Sequence, residues 1–329
     1  MKRWIYAALL VAALAAPFVV YPTFLMKVLC FALFASAFNL LLGHGGLLSF
    51  GHAAYFGSAG YFCAHVCKVW GWPPELGLLA ATAAAAAMGW VFGLLAIRRS
   101  GIYFAMVTLA LAQLVYFLAL QLPFTGGENG LQGVPRGQLL GFIDLNDNLA
   151  MYYLVLAVFV GGFALIHRTI HSPFGQVLKA IRENEPRAIS LGYAVDRYKL
   201  RVFVISAALA GLAGATKTLV FQLASLTDVH WHLSGEVVLM TLLGGLGTVW
   251  GPAVGAFTVV LLEDQLASTV GSWVTVIVGA VFVACVLLFR RGIVGELAHW
   301  RRRVALLPVH RRVARGTEPA TEVAAEVAR

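Results

Sequence analysis

Long apolar stretches, separated by short polar ones, occupy most of this chain of 329 residues. A helix needs about 20 predominantly apolar residues to cross the hydrocarbon core of a membrane. Stretches near that length recur at residues 4–20, 24–42, 53–69, 76–97, 102–122, 149–166, 202–223 and 273–289. They predict an all-α polytopic membrane protein with about 8–10 transmembrane helices, some of them broken or re-entrant.

The composition agrees with a membrane protein, because 60% of the residues are hydrophobic and only 12% are charged. The apolar stretches are continuous rather than alternating, which disfavours a β-barrel. Lys2, Arg3 and the apolar run after them resemble a signal peptide, but we favour an uncleaved first span because the following chain is also membrane. Cys63 and Cys67 share a helix face without histidine or carboxylate neighbours, so we expect them to be packing residues.

The basic residues indicate the orientation, because Lys and Arg concentrate in cytoplasmic loops. With the N-terminus in the cytoplasm, 20 of the 24 Lys and Arg residues share that side. The segment 235–264 contains a glycine-rich break, and its halves of about 9 and 12 residues are each too short to span. A single crossing would place the basic C-terminal tail outside. We therefore predict that this segment either enters and returns or crosses twice.

Both termini are then cytoplasmic. The sequence divides into a membrane domain at residues 1–300 and a basic tail at residues 301–329. We expect the tail to be disordered and to lie near the cytoplasmic leaflet, whose anionic lipids attract basic segments.

Enzyme signatures are absent from the sequence. The glycine-rich segments lack the Gly-Lys-Ser/Thr of a phosphate-binding loop, and the histidines show no zinc spacing. We therefore expect no catalytic site, no metal and no cofactor in this chain. The net charge of +9 is mainly topogenic and predicts no nucleic-acid partner. Few ionisable residues lie inside the spans, so no proton relay is evident. We therefore expect the energy for any transport to come from outside the chain.

One long polar segment, residues 168–201, interrupts the membrane pattern. Ser172 followed by proline predicts a helix N-terminus, and that helix ends near Glu183. Pro186 starts a second helix of under two turns, which Gly192 terminates. So short a helix is stable only when it packs against the body or a partner. It is either a surface helix in a solvated loop or a docking element that a partner protein binds.

This second helix is similar to the coupling helix of permease subunits in ATP-binding cassette importers, which carries an EAA…G core. Ala188 and Gly192 keep the spacing of that core, while Glu185 lies one place early and Pro186 replaces the glutamate. The departure fits the branched-chain amino acid importers better. Five further stretches resemble the LivM-type permeases of those importers, at residues 49–61, 101–113, 125–131, 198–215 and 244–256.

The resemblance implies a transport subunit that hydrolyses no ATP itself. The expected partners are a second, LivH-type permease, two cytoplasmic ATP-binding subunits that bind ATP and Mg, a periplasmic amino-acid-binding protein, and membrane lipid. The expected location is a bacterial inner membrane, and the expected substrates are leucine, isoleucine and valine. The residues expected to couple to the ATPase are Arg182, Glu183, Glu185, Pro186, Arg187, Ala188 and Gly192.

An amino acid is zwitterionic, so its path is expected to follow broken helices, where free N–H and C=O groups are available. Three glycine-rich segments interrupt the apolar pattern and supply candidates for this path. The candidate residues are Gly45, Ser49, Phe50, Gly51, Thr125, Gly126, Gly127, Gly244, Gly245 and Gly247. The alternative is that these segments only allow tight turns and close packing.

Other functions stay open at this point. A related permease for urea, amides or other amino acids would show the same pattern. A stand-alone secondary transporter is a further alternative, and transport without any ATPase would distinguish it. A membrane enzyme is disfavoured because no paired catalytic residues are present.

Overall fold

The computed structural model describes residues 11–139, 141–270 and 292–296, together with positions 273, 276–277, 279–280 and 283. The predicted all-α fold is confirmed. The α-helices in chain order are α1 (Pro22–Asn39), α2 (His52–Lys68), α3 (Pro74–Ala96), α4 (Gly101–Gln121), α5 (Asn148–His171), α6 (Pro173–Glu183), α7 (Glu185–Ser190), α8 (Val195–Phe221), α9 (Trp231–Gly244) and α10 (Gly251–Val270).

Short elements complete the described part of the chain. A π-helical turn, Leu40–His44, extends α1. Strand β1 (Leu131–Gln132) pairs antiparallel with β4 (Leu223–Ala224), and β2 (Gln138–Leu139) pairs antiparallel with β3 (Ile143–Asp144). Single 3₁₀ turns occur at Ala16–Phe18, Pro123–Thr125, Gly127–Asn129 and Leu226–Asp228.

Five helices in the described residues are long and apolar enough to cross a membrane, namely α1 with its π-helical extension, α3, α4, α5 and α8. The predicted spans at 24–42, 76–97, 102–122, 149–166 and 202–223 correspond to them. The span predicted at 4–20 begins before the described residues. The span predicted at 273–289 and the tail at 301–329 lie largely or wholly outside them.

Helix α8 lies at the centre of the bundle and packs against α1, α2 and α3. Small residues make these contacts close. A methyl group on Gly89 of α3 would overlap Ala207 of α8, and one on Gly214 of α8 would overlap the carbonyl oxygen of Phe56 in α2. Close backbone approach of this kind increases van der Waals contact between helices in lipid. The small residues at these positions therefore serve packing within this chain.

Helices α9 and α10 form an antiparallel hairpin, and the glycine-rich break lies at its tip. Gly244 lies against Gly251, and Gly255 lies against the carbonyl oxygen of Met240. The predicted lengths of 9 and 12 residues were wrong, because α9 has 14 residues and α10 has 20. Gly235 was taken as a boundary but lies inside α9, where no atom approaches its open side.

The bundle has two ends that differ in structure. We call the end that carries α6 and α7 the α7 end, and the end that carries the four strands the strand end. The break between α9 and α10 lies at the α7 end, because Gly247 lies beside Arg182 of α6. Gly292 lies against Gly245 of the same break. The chain therefore returns to the α7 end after α10.

Candidate docking site

Helix α6 leaves α5 through a tight, capped turn. The hydroxyl of Ser172 accepts a hydrogen bond from the N–H of Gly175 at 3.4 Å and donates to the carbonyl of Thr169 at 2.7 Å. The predicted N-cap is therefore confirmed, with Pro173 at the first helical position. A side chain at Gly175 would overlap the carbonyl of Ile170, so the turn is also sterically close. The α5–α6 angle is consequently well defined.

Helix α7 is only six residues long, and both of its ends are capped. The side-chain oxygen of Asn184 accepts from the N–H of Arg187 at 3.1 Å. At the other end, the N–H of Gly192 bonds the carbonyl of Ile189 at 2.9 Å, and the N–H of Tyr193 bonds that of Ala188 at 3.2 Å. This pair of bonds is a Schellman motif, and Gly192 has the left-handed φ of +85° that it requires. Gly192 thus ends the helix as predicted.

Two interactions hold α7 on the membrane body. Ala188 packs with Ile181 of α6 and Val195 of α8 in a small apolar cluster that is separate from the main core. Glu185 accepts from the ammonium of Lys199 in α8 at 2.5 Å, and the Lys199 side chain is only 6% exposed. A helix of six residues has little stability of its own. These contacts with α6 and α8 therefore decide where α7 lies.

The outer side of α7 is apolar and exposed. Ile189 is 58% exposed and Leu191 is 68% exposed. Pro186 and Arg187 are exposed beside them. We call these four residues the α7 surface. Of the residues predicted to couple, Ala188 and Glu185 face the body, whereas Pro186 and Arg187 belong to this surface. The sequence pattern singled out neither Ile189 nor Leu191 as a contact residue.

Arg182 connects α6 to two of the glycine-rich breaks. Its guanidinium donates to the carbonyl of Gly43, and its side-chain carbons lie against Gly46. Gly247, in the break between α9 and α10, lies beside the same guanidinium. Gly46 and Gly247 both have left-handed φ values, of 72° and 73°. Bare backbone at both turns therefore leaves room for one arginine side chain between them.

Asn39 joins the same two breaks directly. Its side-chain amide donates to the carbonyl of Thr248 at 2.9 Å, and its oxygen accepts from the N–H of Gly247 at 3.0 Å. Asn39 is buried at the end of α1. The predicted candidates Gly45, Gly244, Gly245 and Gly247 are thus brought into one region. Sequence reasoning missed Asn39 because its partners lie more than 200 residues away.

The second half of the first break is closed by side-chain hydroxyls. Phe50 donates its N–H to Thr108 of α4 at 3.2 Å, and Gly51 donates to Ser49 at 3.2 Å. A side chain at Gly51 would meet the carbonyl oxygen of Thr108 at 2.8 Å. His52, the first residue of α2, lies 2.9 Å from the hydroxyl of Ser206. Tight packing, the alternative interpretation, accounts for this part of the break.

The third break, at Thr125, Gly126 and Gly127, lies away from the other two. The hydroxyl of Thr125 donates to the carbonyl of Leu122 at the C-terminal end of α4. Thr108, which contacts the first break, lies 17 residues earlier, which corresponds to about 25 Å along a helix. The structure therefore brings two of the three candidate segments together and places the third at the strand end.

The comparison with known proteins gives the family. Residues 20–286 match the family model of the permease component of branched-chain amino acid transport systems. The chain belongs to this family. The high-affinity branched-chain amino acid transport permease protein LivM of Escherichia coli K12 is 28% identical over 296 residues, which cover 80% of this chain and 68% of that protein.

Two archaeal proteins of Methanocaldococcus jannaschii are also similar to this permease. The probable branched-chain amino acid transport permease LivM is 27% identical over 255 residues, which are 71% of this chain and 72% of that protein. The probable permease LivH is 26% identical over 163 residues, covering 47% and 50%.

Two basic residues of the permease near the strand end are held by short polar contacts. The ammonium of Lys217 in α8 donates to both carboxylate oxygens of Asp228 at 2.6 Å. Arg136 donates to the carbonyl of Val220 at 2.7 Å and to the side chain of Asn148 at 3.0 Å. Burial lowers the pKa of the Arg136 guanidinium. The Arg136 bonds attach the loop between α4 and α5 to the end of α8, and the Lys217–Asp228 pair attaches the connection between α8 and α9 to α8.

The described residues contain no cluster of three or more His, Cys, Asp and Glu side chains that could hold a metal ion. Cys63 and Cys67 instead lie against Gly77 of α3, where a larger residue would meet their sulfur atoms. Both cysteines are buried and free.

Proposed function

We propose that this chain is the membrane-spanning permease subunit of an ATP-driven importer for leucine, isoleucine and valine. The observation that carries this proposal is the family match over residues 20–286. The relatives described as high-affinity branched-chain amino acid permeases support the substrate class. Glycine-rich helix breaks that meet beside a capped surface helix are consistent with a transport role.

We infer that a cytoplasmic ATP-binding subunit docks on the α7 surface. Exposed apolar residues on a short, doubly capped helix are suited to insertion into a groove of a partner. The α7 helix is attached to the body on its inner side by Ala188 and Glu185, so the outer side is free for such contact. ATP and Mg then belong to that partner and not to this chain.

A route for coupling follows from Arg182. A displacement of α6 and α7 by the docked subunit moves Arg182, which bonds Gly43 and lies beside Gly247. Asn39 ties the same two turns together. Such a displacement therefore acts on both helix breaks at once. An ATP-binding subunit that binds one arrangement of these breaks more tightly than another would shift the transport equilibrium.

The remaining partners and the orientation complete the proposal. A LivH-type permease, a second ATP-binding subunit and a periplasmic amino-acid-binding protein complete the importer in a bacterial inner membrane. The α7 end faces the cytoplasm, because it carries the polar segment 168–201 with its basic residues. The return of Gly292 to that end supports a cytoplasmic C-terminus.

Reconstitution tests the function. The chain, co-purified with the products of its neighbouring genes, is placed in proteoliposomes, and uptake of radiolabelled leucine, valine, urea and acetamide is measured. ATP-dependent uptake of leucine and valine is the expected result. Preference for urea or an amide would move the protein to a different substrate class. Leucine uptake by the chain alone, without ATP, would favour a secondary transporter.

Cross-linking tests the docking surface separately. A cysteine in place of Leu191 is expected to cross-link to the ATP-binding subunit and to react only with membrane-permeant thiol reagents in intact cells. Phe142 is 92% exposed at the other end of the molecule and is the matched control. Its cysteine variant is expected to react with impermeant reagents and to give no cross-link. The reverse pattern would refute both the docking site and the orientation.

A further inference from the structure

A groove of about 850 Å³ opens on the surface of the bundle between α3, α5, α6 and α8. It begins at the α7 end and runs into the membrane-spanning parts of α5 and α8. The groove is separate from the α7 surface, from the glycine-rich breaks and from their Asn39 and Arg182 contacts. None of the residues predicted to form a site lines it.

Three arginines line the groove at the α7 end. Arg168 lies one turn before the end of α5, and Arg197 and Arg201 lie in the first two turns of α8. All three are exposed. Within the described residues, none of the three forms a salt bridge with a carboxylate. Three positive charges from two neighbouring helices therefore face one groove, and no described carboxylate is among its lining residues.

The lining becomes apolar toward the middle of the span. Leu165 lies three residues before Arg168, and Ile205 lies four residues after Arg201, which is about 6 Å along α8. Trp90 of α3 forms the opposite wall, and Trp90 and Leu165 are about half exposed. The groove thus has a cationic end at the level where α5 and α8 leave the membrane and an apolar part beside the hydrocarbon.

We propose that this groove binds one anionic phospholipid. The phosphate of the headgroup lies among the three arginines, and one acyl chain lies along Trp90, Leu165 and Ile205. Basic pockets between membrane helices are suited to anionic headgroups. A soluble anion would use only the arginines, whereas a phospholipid matches both ends of the groove. The proposal needs only that α5 and α8 span a membrane, so it is independent of the proposed transport function.

Native mass spectrometry of the full-length chain, released from nanodiscs of phosphatidylglycerol or phosphatidylcholine, measures the retained lipid. We expect the wild-type chain to retain phosphatidylglycerol preferentially. The double variant Arg168→Gln/Arg201→Gln removes two charges from the groove, and Lys179→Gln/Arg187→Gln removes two at the same end from residues that do not line it. One basic residue near an anionic lipid changes affinity roughly fivefold, so the groove variant is expected to lose about thirtyfold.

A second variant tests the acyl chain. Ala164→Trp fills the apolar part of the groove and keeps every arginine. It is expected to reduce phosphatidylglycerol retention as well, while a soluble anion would be unaffected. Phosphatidylglycerol with brominated acyl chains provides a measurement that needs no charge variant. It should quench the fluorescence of the wild-type chain more than that of Trp90→Phe, because Trp90 lines the groove.

Four results would overturn the proposal. The first is equal retention of the two lipids by the wild-type chain, and the second is an equal loss in the groove and control double variants. The third is displacement of the lipid by millimolar inorganic phosphate, which would indicate a soluble-anion site. The fourth is loss of the lipid when the chain assembles with its co-purifying subunits, which would indicate a protein interface. If the variants fail to fold, the absence of quenching in the wild-type chain decides against the proposal.

Discussion

Replacement of Gly192 by valine is the most specific perturbation of the α7 surface. Gly192 has a φ of +85°, and no atom lies within 4 Å of the position that a side chain would occupy. The substitution therefore creates no clash with neighbours, and its effect comes from the backbone alone. A left-handed conformation costs an ordinary residue about 1–2 kcal/mol, and a β-branched residue lies at the upper end of that range.

This backbone cost destabilises a helix that has little stability of its own. Helix α7 has six residues, and the carbonyls of Ile189 and Ala188 accept from the N–H groups of Gly192 and Tyr193. A loss of about 1–2 kcal/mol corresponds to a 5- to 30-fold rise in the population in which α7 has lost its C-terminal cap. Ile189 and Leu191 are then no longer held in place for a partner. We expect uptake to fall by a comparable factor while the membrane bundle stays folded.

The assay combines hydrogen exchange of the peptide that covers residues 185–193 with uptake and ATP hydrolysis in proteoliposomes. Gly192→Asn is the matched control, because asparagine adopts the left-handed conformation far more readily than valine. It should retain most of the uptake. Equal exchange and equal uptake in the two variants would refute the role of this backbone position. Faster exchange with normal uptake would refute the role of α7 in docking.

Three further predictions concern the contacts behind α7 and the helix breaks. Glu185→Gln leaves the buried ammonium of Lys199 unpaired, so it should lower the free energy of unfolding by about 1–3 kcal/mol, as measured by thermal unfolding. Lys199→Met should lower it less. The opposite order would contradict the ion-pair assignment. Gly244→Ala overpacks the contact between α9 and α10 and should lower the free energy of unfolding by about 1–3 kcal/mol in the same assay. Gly161→Ala is the control, because no atom lies near the added methyl group, and it should raise the free energy of unfolding by about 0.5–1 kcal/mol. Arg182→Met keeps most of the side-chain packing but removes the bond to the first break, so ATP hydrolysis should continue with less uptake per ATP; an unchanged ratio would exclude Arg182 from coupling.

Local chemistry made much of α6 and α7 predictable from the sequence. Ser172 before a proline, a second proline at position 186 and Gly192 are short-range signals, because each acts on backbone groups a few residues away. The five long spans were predictable for a similar reason. A membrane-spanning helix satisfies its backbone hydrogen bonds within its own segment, so length and apolar composition are sufficient to find it.

Long-range polar contacts were not predictable in this way. Asn39 pairs with Thr248, and Glu185 pairs with Lys199 across an intervening turn. No periodicity or cap signal relates the two members of such a pair. The hairpin of α9 and α10 shows a different limit of prediction from the sequence, which concerns where helices begin and end. Gly235 and Asp264 were the bounds of the predicted segment, but both lie inside helices. The surrounding bundle overrides their weak local preferences.

Asn39 also has a consequence for how the protein is made. Its amide meets its native partner 209 residues later in the chain. At a synthesis rate of about 5–20 residues per second, α1 enters the membrane about 10–40 s before Thr248 exists. During that interval the end of α1 cannot adopt its final surroundings. A ribosome stalled between α8 and α9 would therefore leave a nascent chain in which α1 is in the membrane but Asn39 has no access to its partner Thr248.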